Sequence, residues 1–179
     1  MGRIQRDIEA GIFHVYSHSV WTSEFFRNDL DHLVFLREVA RAGNKVGWTC
    51  VTFCLLPTHY HFILEVERGA LPAGMHALNF RYAQGFNVRH HLRGHVVAGR
   101  YGSRRIEDDE DLLNTYSYVA RNPIEAGVCV HPAEWAWSSY AGTVDLAAAH
   151  SFVDPRRVLD SFNCPRDLAI ARLRGYFNP

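Results

Sequence analysis

Two histidines that alternate along a predicted strand are the first residues whose types and spacing could do chemistry. His59 and His61 open an apolar run that continues to Val66. Side chains of a strand alternate between its two faces, so both imidazoles project from the face opposite the one that carries Tyr60 and Phe62. Two neutral imidazoles on one side of a rigid strand can supply two ligands to a divalent metal ion. Unrelated strand histidines produce the same pattern, so the pair alone leaves both interpretations open.

A tyrosine on a predicted helix is the second such group. The helix begins at Asp108 or Asp109 and runs to about Asn122, with Pro123 beyond it. At about 100° per residue, one arc of this helix is apolar, and Tyr116 belongs to it. The members of the arc are Leu112, Leu113, Tyr116, Val119 and Ala120. Tyr118 lies nearly opposite, on the polar side with Asp111, Asn114 and Thr115, and Asn122 follows it one turn later on the same face.

Basic residues are concentrated in one segment although the net charge of the chain is zero. No acidic residue occurs from Arg68 to Ile106, and an acidic run, residues 107–111, follows at once. The segment holds seven arginines and four histidines: Arg68, Arg81, Arg89, Arg93, Arg100, Arg104, Arg105, His76, His90, His91 and His95. Arginine suits bidentate contacts with phosphate, and the interspersed aromatics Phe80, Tyr82, Phe86 and Tyr101 could stack on bases. The segment favours nucleic-acid binding, with an ordinary arginine-rich surface as the alternative.

The elements that must position these groups alternate in a recognisable order. Hydrophobic patterning predicts strands over 11–20, 46–55, 60–66 and 101–106, and helices over 29–43, 75–91 and 109–122. Residues 68–74 are predicted to form a loop. This order predicts an α+β fold, a ferredoxin-like plait whose antiparallel sheet has helices on one face and an added tyrosine-bearing helix. An aromatic segment, residues 135–140, should pack back on the domain, and two short helices should surround Cys164.

Composition places the chain among ordinary globular proteins. Its 179 residues are 47% hydrophobic and 21% charged, and no apolar run approaches the length of a membrane span. The N-terminal residues contain no apolar signal-peptide core, and the four cysteines lack Cys-x-x-Cys spacing. We therefore expect a cytoplasmic protein with reduced thiols and no membrane partner.

Four motifs together resemble a known family of DNA-processing enzymes, the single-tyrosine HUH transposases, and most of all their REP-associated branch. The motifs are LPTHYHF at Leu56–Phe62, NFRYAQGFN at Asn79–Asn87, Gly94-His95 with Gly99-Arg100-Tyr101, and YVARNPIEAGV at Tyr118–Val128. The resemblance covers about residues 11–141, which suggests a catalytic domain over 1–142 and a C-terminal helical extension over 143–179. The sequence departs from the family pattern at two positions. Thr58 lies where relatives usually have asparagine, and Gly85 lies where they usually have a bulkier residue. Neither change removes a reacting group.

The resemblance implies a function and a set of roles. It implies cleavage and rejoining of single-stranded DNA through a 5′-phosphotyrosine, with Mg²⁺ or Mn²⁺ and without ATP. The metal ligands would be His59, His61 and Asn122, and the nucleophile would be Tyr118. The substrate implied is hairpin-forming repeat DNA, handled by a monomer or by a homodimer that exchanges the tyrosine helix.

Further residues are predicted with less specific roles. DNA contacts are expected from the arginine segment, first from Arg81, Arg89, Arg100, Arg104 and Arg105. Groups that could support the metal ligands or carry protons are His95, His14 and Glu65. Each of these three, like His18, also fits an ordinary structural role. Two other functions remain open at this stage: a catalytically silent hairpin-DNA-binding regulator derived from a transposase, and a ferredoxin-like ligand sensor with an incidental histidine pair.

Overall fold

The structure is a computed structural model that describes residues 8–20 and 24–177, so parts of both predicted domains lie outside the described residues. The strands are β1 (Gly11–His18), β2 (Thr49–Leu56), β3 (His59–Val66) and β4 (Gly102–Ile106). The helices are α1 (Asp29–Val46), α2 (Ala70–Arg89), α3 (Asp109–Glu125), α4 (Tyr140–Thr143), α5 (Arg156–Asp160) and α6 (Arg166–Gly175), with a 3-10 turn at Pro132–Glu134.

The four strands form one antiparallel sheet in the order β2-β3-β1-β4. In the pairing of β1 with β3, His18 lies opposite His59 and Tyr16 lies opposite His61. In the pairing of β1 with β4, His14 lies opposite Arg104. The predicted α+β plait is confirmed. Its two central strands, β3 and β1, carry histidines at neighbouring positions of the sheet.

Helices α1 and α2 cover one face of the sheet. Their core residues pack against the face of β3 that carries Tyr60, Phe62 and Leu64, as the strand alternation predicts. On α2, Tyr82 and Phe86 are buried in this core, so they are not available for base stacking as the sequence had suggested.

Helix α3 covers the opposite face. Leu112, Tyr116 and Val119 are buried against Ile63 of β3 in a second core. Residues of the C-terminal helices, Val158, Leu159, Ala169, Ile170 and Leu173, complete this core. The two predicted C-terminal helices are confirmed, and they share packing with α3; the division of the chain at residue 142 stays a prediction.

Helix α1 is longer than predicted because a glycine inside it has a packing role. The helix ends at Gly47, which adopts a left-handed conformation with φ of 78°, and not at Gly43. A Cβ on Gly43 would lie 2.5 Å from Nε1 of Trp48, so only glycine lets that indole pack against the helix. On α1, Leu33 is exposed and Phe35 is buried.

Helices α2 and α3 each contain a proline, although the sequence predicted residues 68–74 as a loop and Pro123 as lying beyond α3. Helix α2 begins at Ala70, so 70–74 is helical and not loop, because Pro72 lies in the first turn where no N–H donor is needed. Helix α3 continues to Glu125 with Pro123 inside it. The backbone N–H of Ala126 still bonds the carbonyl of Asn122, which holds the last turn together.

The aromatic segment packs on the outer edge of β2, as predicted. Residues 135–139 bond the backbone of that edge at several points, among them Leu55 N–H to the Trp137 carbonyl, Ser139 N–H to the Phe53 carbonyl, and the Trp135 indole N–H to the Leu55 carbonyl. Among the described residues, no helix is long and apolar enough to cross a membrane.

Candidate active site

A pocket of about 580 Å³ opens between the sheet and helix α3. It is rich in histidine and is lined by His14, Tyr16, His18, His59, His61, Arg104, Asp111, Asn114, Thr115 and Tyr118. The residues come from β1, β3, β4 and α3, which are brought together only by the fold. The pocket therefore unites the His-x-His strand with the tyrosine helix.

The two histidines of β3 are held by hydrogen bonds at the same ring position. Their ring centroids lie 5.2 Å apart and their planes are nearly perpendicular. Nδ1 of His59 is 3.1 Å from the hydroxyl of Thr58, and Nδ1 of His61 is 2.9 Å from Nε2 of His14. If each Nδ1 carries the proton, each Nε2 retains its lone pair, as a metal ligand requires.

The environment keeps these imidazoles neutral. Burial, with smaller effects from His14, His59 and His18, lowers the pKa of His61 to about 3. Burial, assisted by the Arg104 guanidinium, lowers the pKa of His14 to about 4. The pKa of His59 is also lowered by burial and by His18. Neutral rings can donate lone pairs at physiological pH without first releasing a proton.

Tyr118 faces the histidines in the same chain. Its ring centroid lies 5.5 Å from that of His61 and 5.8 Å from that of His14, in edge-on geometry. Its side chain is 45% exposed, whereas Tyr116 is fully buried. The predicted helix phase is therefore confirmed, and the histidine pair and the tyrosine meet within one protomer.

Asn122 lies one turn further along α3. Its amide nitrogen donates to the backbone carbonyl of Tyr118 at 2.8 Å, which leaves the amide oxygen free to accept. The Asn122 side chain also interacts with His59, where it opposes the lowering of the imidazole pKa. Asn122 is 7% exposed and does not itself line the pocket, so it reaches the site through its interaction with His59.

These donors fit a divalent metal ion. Two neutral imidazoles and one amide oxygen form a weak, uncharged ligand set that leaves positions for further oxygens. In the part of the chain that the structure describes, no cluster of three or more His, Cys, Asp or Glu side chains could hold a metal. A metal site here would therefore need a ligand of another type, and the Asn122 amide oxygen is a candidate.

Arg104 lies at the mouth of the pocket in a fixed orientation. Its guanidinium donates to both carboxylate oxygens of Asp111, at 2.7 and 2.9 Å, and to the Thr115 hydroxyl at 2.6 Å. The Arg104 side chain remains half exposed. It therefore presents an oriented guanidinium, already paired with Asp111, to the pocket that Tyr118 also lines.

The other predicted DNA-contacting arginines are dispersed. Arg89 pairs with the buried carboxylate of Asp31, at 2.9 and 3.1 Å, so its guanidinium ties α2 to α1 and is not a free phosphate ligand. Arg105 lies over the Phe13 ring, whereas Arg81 and Arg100 are exposed outside the pocket.

Two of the three predicted supporting residues are outside the pocket. Glu65 is exposed near the far end of β3, and His95 is exposed in the loop before β4. His14, by contrast, contacts His61 directly, and His18 stacks on His59 at 5.2 Å. Tyr16 was not selected from the sequence, although it alternates with His14 and His18 on the same face of β1.

Comparison with solved structures identifies the architecture. A REP-associated tyrosine transposase bound to a REP hairpin superposes with a TM-score of 0.69 and 14% identity, over 86% of this chain and 94% of that one. A provisionally assigned transposase from Deinococcus radiodurans R1 gives a TM-score of 0.45 and 12% identity, over 65% and 95% of the two chains. No protein-family model and no curated protein matches the sequence. The chain has the fold of a REP-associated tyrosine transposase.

Proposed function

We propose that this protein cleaves and rejoins single-stranded DNA through a covalent tyrosine intermediate. The observation that carries the proposal is the position of Tyr118, whose ring lies 5.5 Å from that of His61 in a pocket open to solvent. A structural tyrosine at this point of α3 would be buried like Tyr116. The shared fold supports the proposal, because the solved transposase is bound to a REP hairpin.

The reaction is a transesterification at phosphorus. The phenolic oxygen of Tyr118 bonds to the scissile phosphorus and its proton passes to solvent, while the bond to the 3′ oxygen breaks and that oxygen takes up a proton. The product is a 5′-phosphotyrosine and a free 3′-OH. One phosphodiester replaces another, so a 3′-OH can reverse the step without ATP.

The pocket residues have separate tasks in this reaction. His59, His61 and Asn122 would hold Mg²⁺ or Mn²⁺, and the bound ion would polarise the phosphate and stabilise charge on the leaving oxygen. Thr58 and His14 orient the two imidazoles through the hydrogen bonds at Nδ1.

Arg104 is the arginine of the pocket, and unlike the buried pair of Arg89 its half-exposed ion pair with Asp111 leaves it accessible to a phosphate. Asp111 and Thr115 hold its guanidinium towards the pocket, where it can bind a phosphate next to the scissile one. A planar guanidinium recognises phosphate in a fixed orientation, which helps to align the strand with the Tyr118 oxygen. The proposed substrate is single-stranded DNA with a hairpin, in line with the partner of the solved transposase.

The test is a cleavage assay on a hairpin-bearing single-stranded oligonucleotide with Mn²⁺ or Mg²⁺. The wild type should form a denaturant-resistant protein–DNA adduct, and Tyr118→Phe should form none. Tyr116→Phe is the matched control, because it removes a hydroxyl from the same helix on its buried side. An adduct on Tyr118→Phe refutes the assignment. Binding by the wild type with no adduct in either metal would instead favour a regulator that binds hairpins without cutting.

A further inference from the structure

A second charged groove lies on the other side of the sheet from the Tyr118 pocket. It runs between α1 and α2, has a volume of about 280 Å³, and has Leu78 and two alanines along its walls. The volume is near the lower end of the roughly 300–1,000 Å³ usual for small-ligand sites. It can take one nucleotide-sized group, and a duplex is too large for it.

The groove is lined by three positive charges. Arg41 and Lys45 come from α1 and Arg81 from α2, and all three are exposed. None of them forms a hydrogen bond or an ion pair with another described residue. Elsewhere in the described chain several arginines have carboxylate partners, such as Arg104 with Asp111. The groove cations are therefore available to an anionic ligand.

A buried carboxylate lies within the same groove. Glu38 is 7% exposed, and its Oε2 is buried without a hydrogen-bond partner. The Arg37 guanidinium approaches only its other oxygen, at 3.7 Å. A buried carboxylate without donors is costly, so the groove lacks a group that donates hydrogen bonds to it.

The charge pattern specifies the ligand. The ligand must carry an anionic group at the surface of the groove and N–H donors inside it. A nucleotide has this arrangement when its phosphate is outside and its base is inserted. Guanine is the DNA base with two adjacent donors on its Watson–Crick edge, N1–H and N2–H, and these match the two oxygens of a carboxylate. We propose that the α1–α2 groove binds an unpaired guanine nucleotide, with Glu38 accepting from the base and Arg41, Lys45 and Arg81 contacting phosphate.

Guanine binding in the groove would give the proposed DNA substrate a second point of attachment. When the guanine belongs to a DNA strand, the inference rests on the proposed function. The groove and the Tyr118 pocket lie on opposite faces of the sheet, so one strand must pass around the protein to reach both. Groove binding and cleavage can therefore be measured separately.

The experiment measures binding of labelled oligothymidine that carries one deoxyguanosine, with Tyr118→Phe as the background so that no adduct forms. Replacing that guanosine by deoxyinosine removes only the N2 amino group. We expect about tenfold weaker binding to the inosine strand, equivalent to about 1.4 kcal/mol. Glu38→Gln should reduce this preference to less than about twofold, because the amide replaces one acceptor by a donor.

Two further variants separate the charge contacts from general electrostatics. Removing the cations together (Arg41→Ala, Lys45→Ala, Arg81→Ala) should weaken binding of every strand. The slope of the logarithm of the binding constant against the logarithm of salt concentration should become shallower by about 0.7 for each lost phosphate contact. Arg93→Ala is the control for loss of a positive charge, since Arg93 is exposed and does not line the groove. Glu38→Gln is nearly isosteric and removes a buried charge, so it should fold.

The outcomes are distinct. Equal binding of guanosine and inosine strands, or a preference that Glu38→Gln leaves unchanged, overturns the groove assignment whether or not the wild type cleaves DNA. A guanosine preference without any covalent adduct in the wild type supports the groove and refutes the proposed reaction. Competition by free dGMP to the same extent as by the guanosine strand would identify the free nucleotide as the ligand and overturn the second attachment point for DNA.

Discussion

The hydrogen bond between His14 and His61 makes a specific prediction about metal affinity. His14→Leu removes the group at 2.9 Å from His61 Nδ1 and leaves that ring free to rotate and to protonate on either nitrogen. Loss of such a supporting contact typically lowers metal affinity by about 10–100-fold, or about 1.4–2.7 kcal/mol. The expected result is therefore a dissociation constant for Mn²⁺ that rises by one to two orders of magnitude, about 10–100-fold.

Calorimetric titration with Mn²⁺ in the absence of DNA measures this affinity without reference to activity. His14→Gln should recover part of the loss, because its amide oxygen can accept from His61 Nδ1 near the position of the imidazole nitrogen. His95→Ala removes a histidine outside the pocket and should leave the affinity unchanged. A folded His14→Leu variant with wild-type Mn²⁺ affinity would refute the role of His14 in orienting the ligand.

Three predictions concern the framework around the site. Asp31→Asn should lower the free energy of unfolding by about 3–5 kcal/mol, seen as a lower urea midpoint, because it leaves the Arg89 charge without its buried partner. Burial lowers the pKa of His32 below 6.5, so below that pH the unfolded chain binds a proton that the folded chain does not, and stability falls with falling pH. His32→Leu should therefore reduce the change of the urea midpoint between pH 7 and pH 5. An unchanged pH dependence of the midpoint would contradict this. Gly102→Ala would put a Cβ 2.3 Å from the Tyr16 ring, so we expect a loss of about 1–3 kcal/mol of stability and slower adduct formation. Wild-type values of both would show that the ring has room to move.

Local periodicity explains which parts of the site could be predicted from the sequence. The common face of His59 and His61 follows from strand alternation, and the exposure of Tyr118 follows from the helix phase. Both depend on residues a few positions apart, so no knowledge of the partner elements is needed. The order of strands and helices was likewise sufficient for the fold class.

Contacts between distant residues explain the errors. His14, His95 and Glu65 were predicted together as supporting residues, and only the pairing of β1 with β3 decides that His14 alone of the three reaches the pocket. Arg89 was expected at DNA because its partner, Asp31, is 58 positions away. Gly43 suggested a helix end because the packing of Trp48, which requires the glycine, cannot be inferred from helix patterns.

The segment that lies along β2 has a consequence for self-association. An open sheet can recruit another chain through unpaired N–H and carbonyl groups on its outer strands. On β2, backbone groups of Cys50, Phe53 and Leu55 already form hydrogen bonds with residues 135–139 and with Asp154 of the same chain. The other outer strand, β4, is only five residues long, so it offers few unpaired backbone groups to a second copy. Strand-to-strand addition is thus blocked along much of one border of the sheet and has little backbone to use at the other.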